Sequence, residues 1–246
     1  MLEFTDKKFD VNNPVLNAGF ATAVPLLIIF YLLLPAVVNA TAVSASLRQL
    51  NMGLLVIAPS LIILMALLVV IYFAGTKGQL FVKLELVDWN AKYLAVALTG
   101  AFGMLFLAGA VTYGFGNLLK ILNIHFESPI FLKLVLECDN KTLVALGVAA
   151  IVLAPVTEEI IFRRLIFGFV AARTGVIMAM TLTSLAFAAI HFSIVQLPGL
   201  FLLGMAFQIF YLRFNSLYPA ILLHAFNNTI AFAGILLIRI LHLPVA

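Results

Sequence analysis

The chain is built from apolar runs too long for a water-soluble core. They fall at residues 19–38, 54–74, 93–115, 143–172, 176–194, 200–212 and 220–238. A bilayer-spanning helix needs roughly 20 apolar residues, so the pattern predicts about seven spans. Hydrophobic residues make up 65% of the chain and charged residues 10%. Soluble domains carry roughly 45–50% and 25%, and no soluble sphere could hide this much apolar surface. The expected fold class is all-α, a polytopic transmembrane helix bundle forming one integrated membrane domain over residues 1–246. There is no tandem repeat or low-complexity tract, and no room for a large soluble domain.

The formal net charge of +4 does not point to nucleic acid, because the basic residues are scattered singly through loops. Attraction to anionic lipid and the charge bias of membrane topology account for it. With the N-terminus inside, Lys7, Lys8, Lys77, Lys83, Lys92, Arg173 and Arg213 fall on the inner side; Arg48, Lys120, Lys133, Lys141 and Arg239 fall outside. The balance favours an inside N-terminus. Cys138 is the one cysteine, so no internal disulfide forms, and it reads as a bystander thiol in a loop. Lys7 and Lys8 are offset by Glu3, Asp6 and Asp10, a poor start for a signal peptide, and the first run reads as a retained helix. Small loops, one cysteine and the lack of a targeting sequence point to a prokaryotic plasma membrane.

Between the runs, two segments carry some character. Residues 76–92 hold the single Trp89 and alternate in polarity, as a short strand or an interfacial segment would. Residues 117–142 are mixed but apolar enough to lie on the membrane surface. Pro25 and Pro35 in the first run predict a kink.

Chemistry is located by polar groups inside apolar runs. A charge at bilayer depth costs about 2.5–3.5 kcal/mol on insertion scales, which makes such residues functional candidates. Glu158, Glu159, Arg163, His191, His224, Asn227 and Asn228 qualify, and all lie in the C-terminal half. The first three runs hold no ionisable side chain except tyrosine. Residues 1–142 therefore read as scaffold with interfacial loops, and 143–246 as the catalytic helices. On a helix Glu159 and Arg163 are an i,i+4 pair in the favourable order, while Glu158 is rotated off it. Arg163 is then free to neutralise Glu159 and orient the cluster, leaving Glu158 a carboxylate available as general base. His191 shares a face with Phe187, among small residues that permit close helix approach. His224 and Asn228 are also i,i+4, and two neutral donors converging on one point suit an oxyanion. Each group has a plainer reading by itself: a structural ion pair, an interfacial histidine, a polar helix-packing pair.

At these residues the sequence resembles the CPBP family of membrane proteases, which includes type II CAAX prenyl endopeptidases and the bacteriocin-processing and immunity proteins of the Abi group. Glu158, Glu159 and Arg163 match its EExxxR motif, Phe187 and His191 its FxxxH motif, and His224 and Asn228 its HxxxN motif. The resemblance covers about residues 143–233. The family often carries two glycines in the helix before the last motif; here Gly204 is present and Gln208 stands at the second position. The resemblance implies a glutamate-type intramembrane endopeptidase. Glu158 with His191 would activate water, His224 and Asn228 would hold the oxyanion, and Glu159 and Arg163 would support the site. It implies no metal and no organic cofactor. The implied partners are a peptide or protein substrate, prenylated at its C-terminus or not, and membrane lipid. The rival readings are a zinc protease using Glu158, His191 and His224, a proton-coupled transporter, and a non-catalytic immunity or scaffold protein.

Overall fold

The computed structural model describes residues 9–29, 52–74, 80–86 and 89–243, and among them every regular element is helical. The helices are α1 (Pro14–Leu27), α2 (Met52–Phe73), the single turn α3 (Leu80–Lys83), α4 (Lys92–Ile121), α5 (Ile130–Glu137), α6 (Asn140–Thr174), α7 (Val176–Ala189), α8 (Leu197–Phe214) and α9 (Leu217–Ile240). Four of them, α4, α6, α8 and α9, are long and apolar enough to cross a membrane. Three shorter apolar helices accompany them: Pro14–Leu27, Ile57–Phe73 and Val176–Ala189. The chain is a polytopic helical bundle. The expected first run extends past residue 29, and that part, with Pro35, Arg48, Lys7, Lys8 and Lys77, lies outside the described residues.

Helix boundaries follow local chemistry. Asn13 accepts from the Val15 and Leu16 N–H groups at 2.9 and 3.4 Å, with Pro14 in the first turn of α1. Asp139 caps α6 through the Thr142 N–H at 2.8 Å, and that bond holds its carboxyl below the ordinary carboxylate range. Gly175, at φ +82°, separates α6 from α7, a conformation that side chains bearing a Cβ rarely adopt. Asn215 in the left-handed region ends α8, and Ser216 caps α9. The part of 76–92 that is described holds a helical turn rather than a strand. Its Lys83 ammonium donates to the carbonyls of Ile71, Tyr72 and Ala74 at 3.3, 3.1 and 2.7 Å, covering the C-terminus of α2. The loop expected over 117–142 is shortened from both sides by α4 and α5. Cys138 ends α5, and its carbonyl accepts from Arg239 Nη2 of α9 at 2.7 Å.

The bundle is apolar outside and encloses a small polar cluster within an apolar core. Phe106 is 81% exposed and Ile121 77%, whereas Glu159 and Arg163 are fully buried. α4 packs on α8 and α9, α7 pairs with α8, α2 lies against the start of α6, and α1 against its later part. Small residues set the closest approach. A Cβ on Gly199 would lie 2.8 Å from the Ala108 carbonyl of α4, and one on Gly204 3.1 Å from the Ser184 Cα of α7. The middle of α6 is covered by its neighbours, and Glu158, Glu159, Arg163 and Arg164 on it are withdrawn from lipid.

Candidate active site

α6 leaves the α-helical register twice, at Ala149–Leu153 and at Ile160–Ile166, where the turns widen to π geometry. Glu158 and Glu159 end the short α-helical stretch between these two bulges, and Arg163 sits within the second. Single π turns of this kind are frequent at functional sites. Both oxygens of Glu159 are engaged. Arg163 Nε donates to Oε2 at 2.9 Å, and His224 Nδ1, reaching across from α9, bonds Oε1 at 2.9 Å. The i,i+4 pair anticipated from spacing is present, with both side chains fully buried.

Glu158 differs from its neighbour. Its Oε2 is buried without a hydrogen-bond partner among the described residues and lies 3.9 Å from His224 Nε2. His224 therefore sits between the two carboxylates. A carboxylate only accepts, so the bond to Glu159 holds the proton on Nδ1 and turns Nε2 toward Glu158. His191 has the same arrangement: Nδ1 meets the Phe187 carbonyl at 2.8 Å, which again assigns the proton to Nδ1 and leaves Nε2 as the outward nitrogen.

An aromatic shell holds these groups. The Arg163 guanidinium carbon lies 4.8 Å from the Phe187 ring centre, 5.5 Å from Phe207 and 5.9 Å from Phe162. Phe207 stacks on the His224 imidazole at 4.6 Å and 15°. Phe187 meets both histidine rings edge-on, His191 at 5.0 Å and His224 at 5.9 Å. Rings packed this closely fix the imidazole orientation and exclude water around the buried cation.

The structure brings Glu158, Glu159, Arg163 and His224 together, with His191 joined to them through Phe187. His191 lies just past the C-terminus of α7 rather than within a span, because Phe192 takes φ +50° and the helix cannot continue through it. His191 is exposed. Asn228 is not bonded to His224; its Nδ2 donates to the Ala150 carbonyl of α6 at 2.8 Å. Asn227, the other intramembrane asparagine, is buried with its Oδ1 unpartnered among the described residues.

Residues absent from the sequence reading also support this centre. Arg164, next to Arg163, points the other way: its Nε donates to the Lys83 carbonyl at 2.7 Å and lies 3.5 Å from Glu85 Oε1. Glu85 also accepts from the Tyr211 hydroxyl at 2.7 Å, and its carbonyl accepts from the Leu217 N–H at 2.9 Å. One loop residue thus ties α6, α8 and the start of α9 together. The signal for it was the acidic side chain in the alternating segment, but no spacing rule links positions so far apart. Phe162 and Phe207 gave no signal, since an aromatic in an apolar run is ordinary. Gln208, which stands where the family often has its second glycine, is fully buried, with both amide atoms unpartnered among the described residues.

Among the described residues no three histidine, cysteine, aspartate or glutamate side chains are grouped to hold a metal ion. Residues 140–230 match the family model of the type II CAAX prenyl endopeptidase Rce1-like proteins. Over 78 residues the chain is 31% identical to a Bacillus subtilis (strain 168) protein named "Putative membrane peptidase YdiL", a stretch covering 32% of each chain. The match therefore spans about a third of the length of that curated relative. No solved structure matches the chain. Glu158, Glu159, Arg163, Phe187, His191, His224 and Asn228, the residues that carried the motif resemblance, all lie inside the matched segment.

Proposed function

We propose that this chain is an intramembrane endopeptidase that hydrolyses a peptide bond with a glutamate-activated water. The observation that carries the reading is the pair of unequal glutamates. Glu159 is saturated by Arg163 and His224, while Glu158 keeps an unpartnered oxygen facing the imidazole that Glu159 orients. A general base needs a carboxylate oxygen that is free to accept a proton, and Glu158 Oε2 accepts no hydrogen bond among the described residues.

In this mechanism Glu158 takes a proton from water as the water attacks the scissile carbonyl, and returns it to the leaving amine. His191 Nε2 assists in holding that water. With protons on both ring nitrogens, His224 donates Nδ1–H to Glu159 and Nε2–H to the developing oxyanion, and Asn228 supplies a second donor. Donors prearranged in a water-poor site contribute most where charge develops. Glu159 and Arg163 touch no reacting atom; they position His224. The catalytic helices are those of residues 143–246, and the earlier part of the chain is their scaffold. A prenylated C-terminal peptide is the proposed substrate, reaching the site from the surrounding lipid.

The test compares detergent-purified wild type with Glu158→Gln on fluorogenic peptides, prenylated and unprenylated, with and without a strong chelator. Wild-type cleavage that survives the chelator and falls by about 10²–10⁴ in Glu158→Gln is expected. Cleavage abolished by the chelator would turn the reading to a zinc enzyme. Equal cleavage of both peptides would remove the prenyl group from the substrate definition.

A further inference from the structure

The first π bulge of α6 leaves a carbonyl that Asn228 satisfies. In this bulge the Ala154 N–H donates five residues back, to the Ala149 carbonyl. The next carbonyl, that of Ala150, has two candidate donors in its own helix. The Ala154 N–H, four residues on, is committed to Ala149; Pro155, five residues on, has no N–H at all. An unpaired carbonyl at membrane depth is costly, because no water is there to satisfy it. The donor comes from another helix: Asn228 Nδ2 of α9 at 2.8 Å.

We infer that Pro155 is a positioning residue for Asn228. By leaving the Ala150 carbonyl without a backbone donor, the proline creates the anchor that fixes the asparagine amide. The carboxamide is planar, so one N–H bound to Ala150 sets the direction of the other. Asn228 lies one turn beyond His224 on α9, so its second N–H is directed from a fixed frame on the same helix that presents the imidazole. The inference rests on the reading of Asn228 as an oxyanion donor for its catalytic meaning, but not for its structural content.

Pro155→Ala restores an N–H that competes for the Ala150 carbonyl. Alanine is the better helix former, so the substitution does not threaten α6 itself. The experiment is a double-mutant cycle with Pro155→Ala and Asn228→Ala, read first as Tm in detergent. In the wild-type background, Asn228→Ala strands the carbonyl and should lower Tm by several degrees. In the Pro155→Ala background the same change should lower it far less. Pro155→Ser supplies the same N–H and should reproduce the result. An equal Tm loss in both backgrounds would overturn the inference. The kinetic arm uses the prenylated fluorogenic peptide. Pro155→Ala should lower kcat by about tenfold or more with KM little changed, and Asn228→Ala should add little on top of it. Full, additive losses would remove the catalytic meaning. Because the Tm cycle needs no turnover, an inactive wild type would defeat the protease reading and leave the Pro155–Asn228 coupling to be decided by stability alone.

Discussion

Glu159 and Arg163 form a contact that tolerates little change. Both are fully buried, and Glu159 is shared with His224. Desolvating such a pair is expensive, and its attraction offsets that cost only while both partners are present. Arg163→Ala should therefore cost about 3–5 kcal/mol, visible as a sharply lowered Tm in detergent. Arg163→Met combined with Glu159→Gln should recover part of that loss, since neither member of the pair is then left as an unmatched buried charge. Glu158→Gln should leave Tm nearly unchanged, because the Oε2 it alters accepts no hydrogen bond among the described residues and stands 3.9 Å from His224 Nε2. If Arg163→Ala melted like wild type, the buried-pair account would be wrong. The two glutamates thus separate into one that holds and one that is available, although they are neighbours in sequence.

At the scale of elements, α6 depends on contacts made on two opposite sides. Toward the centre Arg163 engages Glu159; on the other side Arg164 engages the Lys83–Glu85 loop, which Tyr211 of α8 also grips. Adjacent arginines inside a widened turn are held in register by these opposed bonds. Tyr211→Phe removes a hydroxyl that donates to a carboxylate, a bond worth about 1.5–3 kcal/mol. The variant should melt several degrees lower in detergent. It should also exchange amide hydrogens faster in the Ile160–Ile166 segment than in α9, measured by mass spectrometry. Uniform exchange in both helices would show that the loop contact does not secure the bulge.

For the whole molecule the controlling fact is an apolar exterior around an enclosed charged cluster. Large apolar side chains such as Phe106, Tyr113 and Ile177 cover the outside, while Glu158, Glu159, Arg163 and Arg164 of α6 are buried. Phe106 lies midway along α4, and a lysine there should cost about 2.5–3.5 kcal/mol of insertion free energy. Phe106→Lys should reduce membrane integration in an alkaline-extraction assay, and Phe106→Leu should not. Equal extraction of the two would mean that this face of α4 does not meet lipid.

Composition and run length alone determined that the chain is an all-helical membrane bundle, because the cost of exposing so much apolar surface to water leaves no alternative. Local spacing determined the Glu159–Arg163 pair, since four residues on a helix bring two side chains together and the widened turn still permits the bond. Three short motifs marked Glu158, His191, His224 and Asn228 as belonging to one site. The division of the partners was decided only by tertiary structure. His224 bonds Glu159 and faces Glu158 because α9 packs against α6, a contact between positions 65 apart in the chain. Asn228 bonds Ala150, and Glu85 bonds Arg164 and Tyr211, for the same reason. Periodicity constrains which face of a helix a residue occupies; which other helix meets that face depends on packing and on backbone irregularities. A proline that removes one hydrogen-bond donor carries its effect across the bundle to a side chain that the sequence places far away.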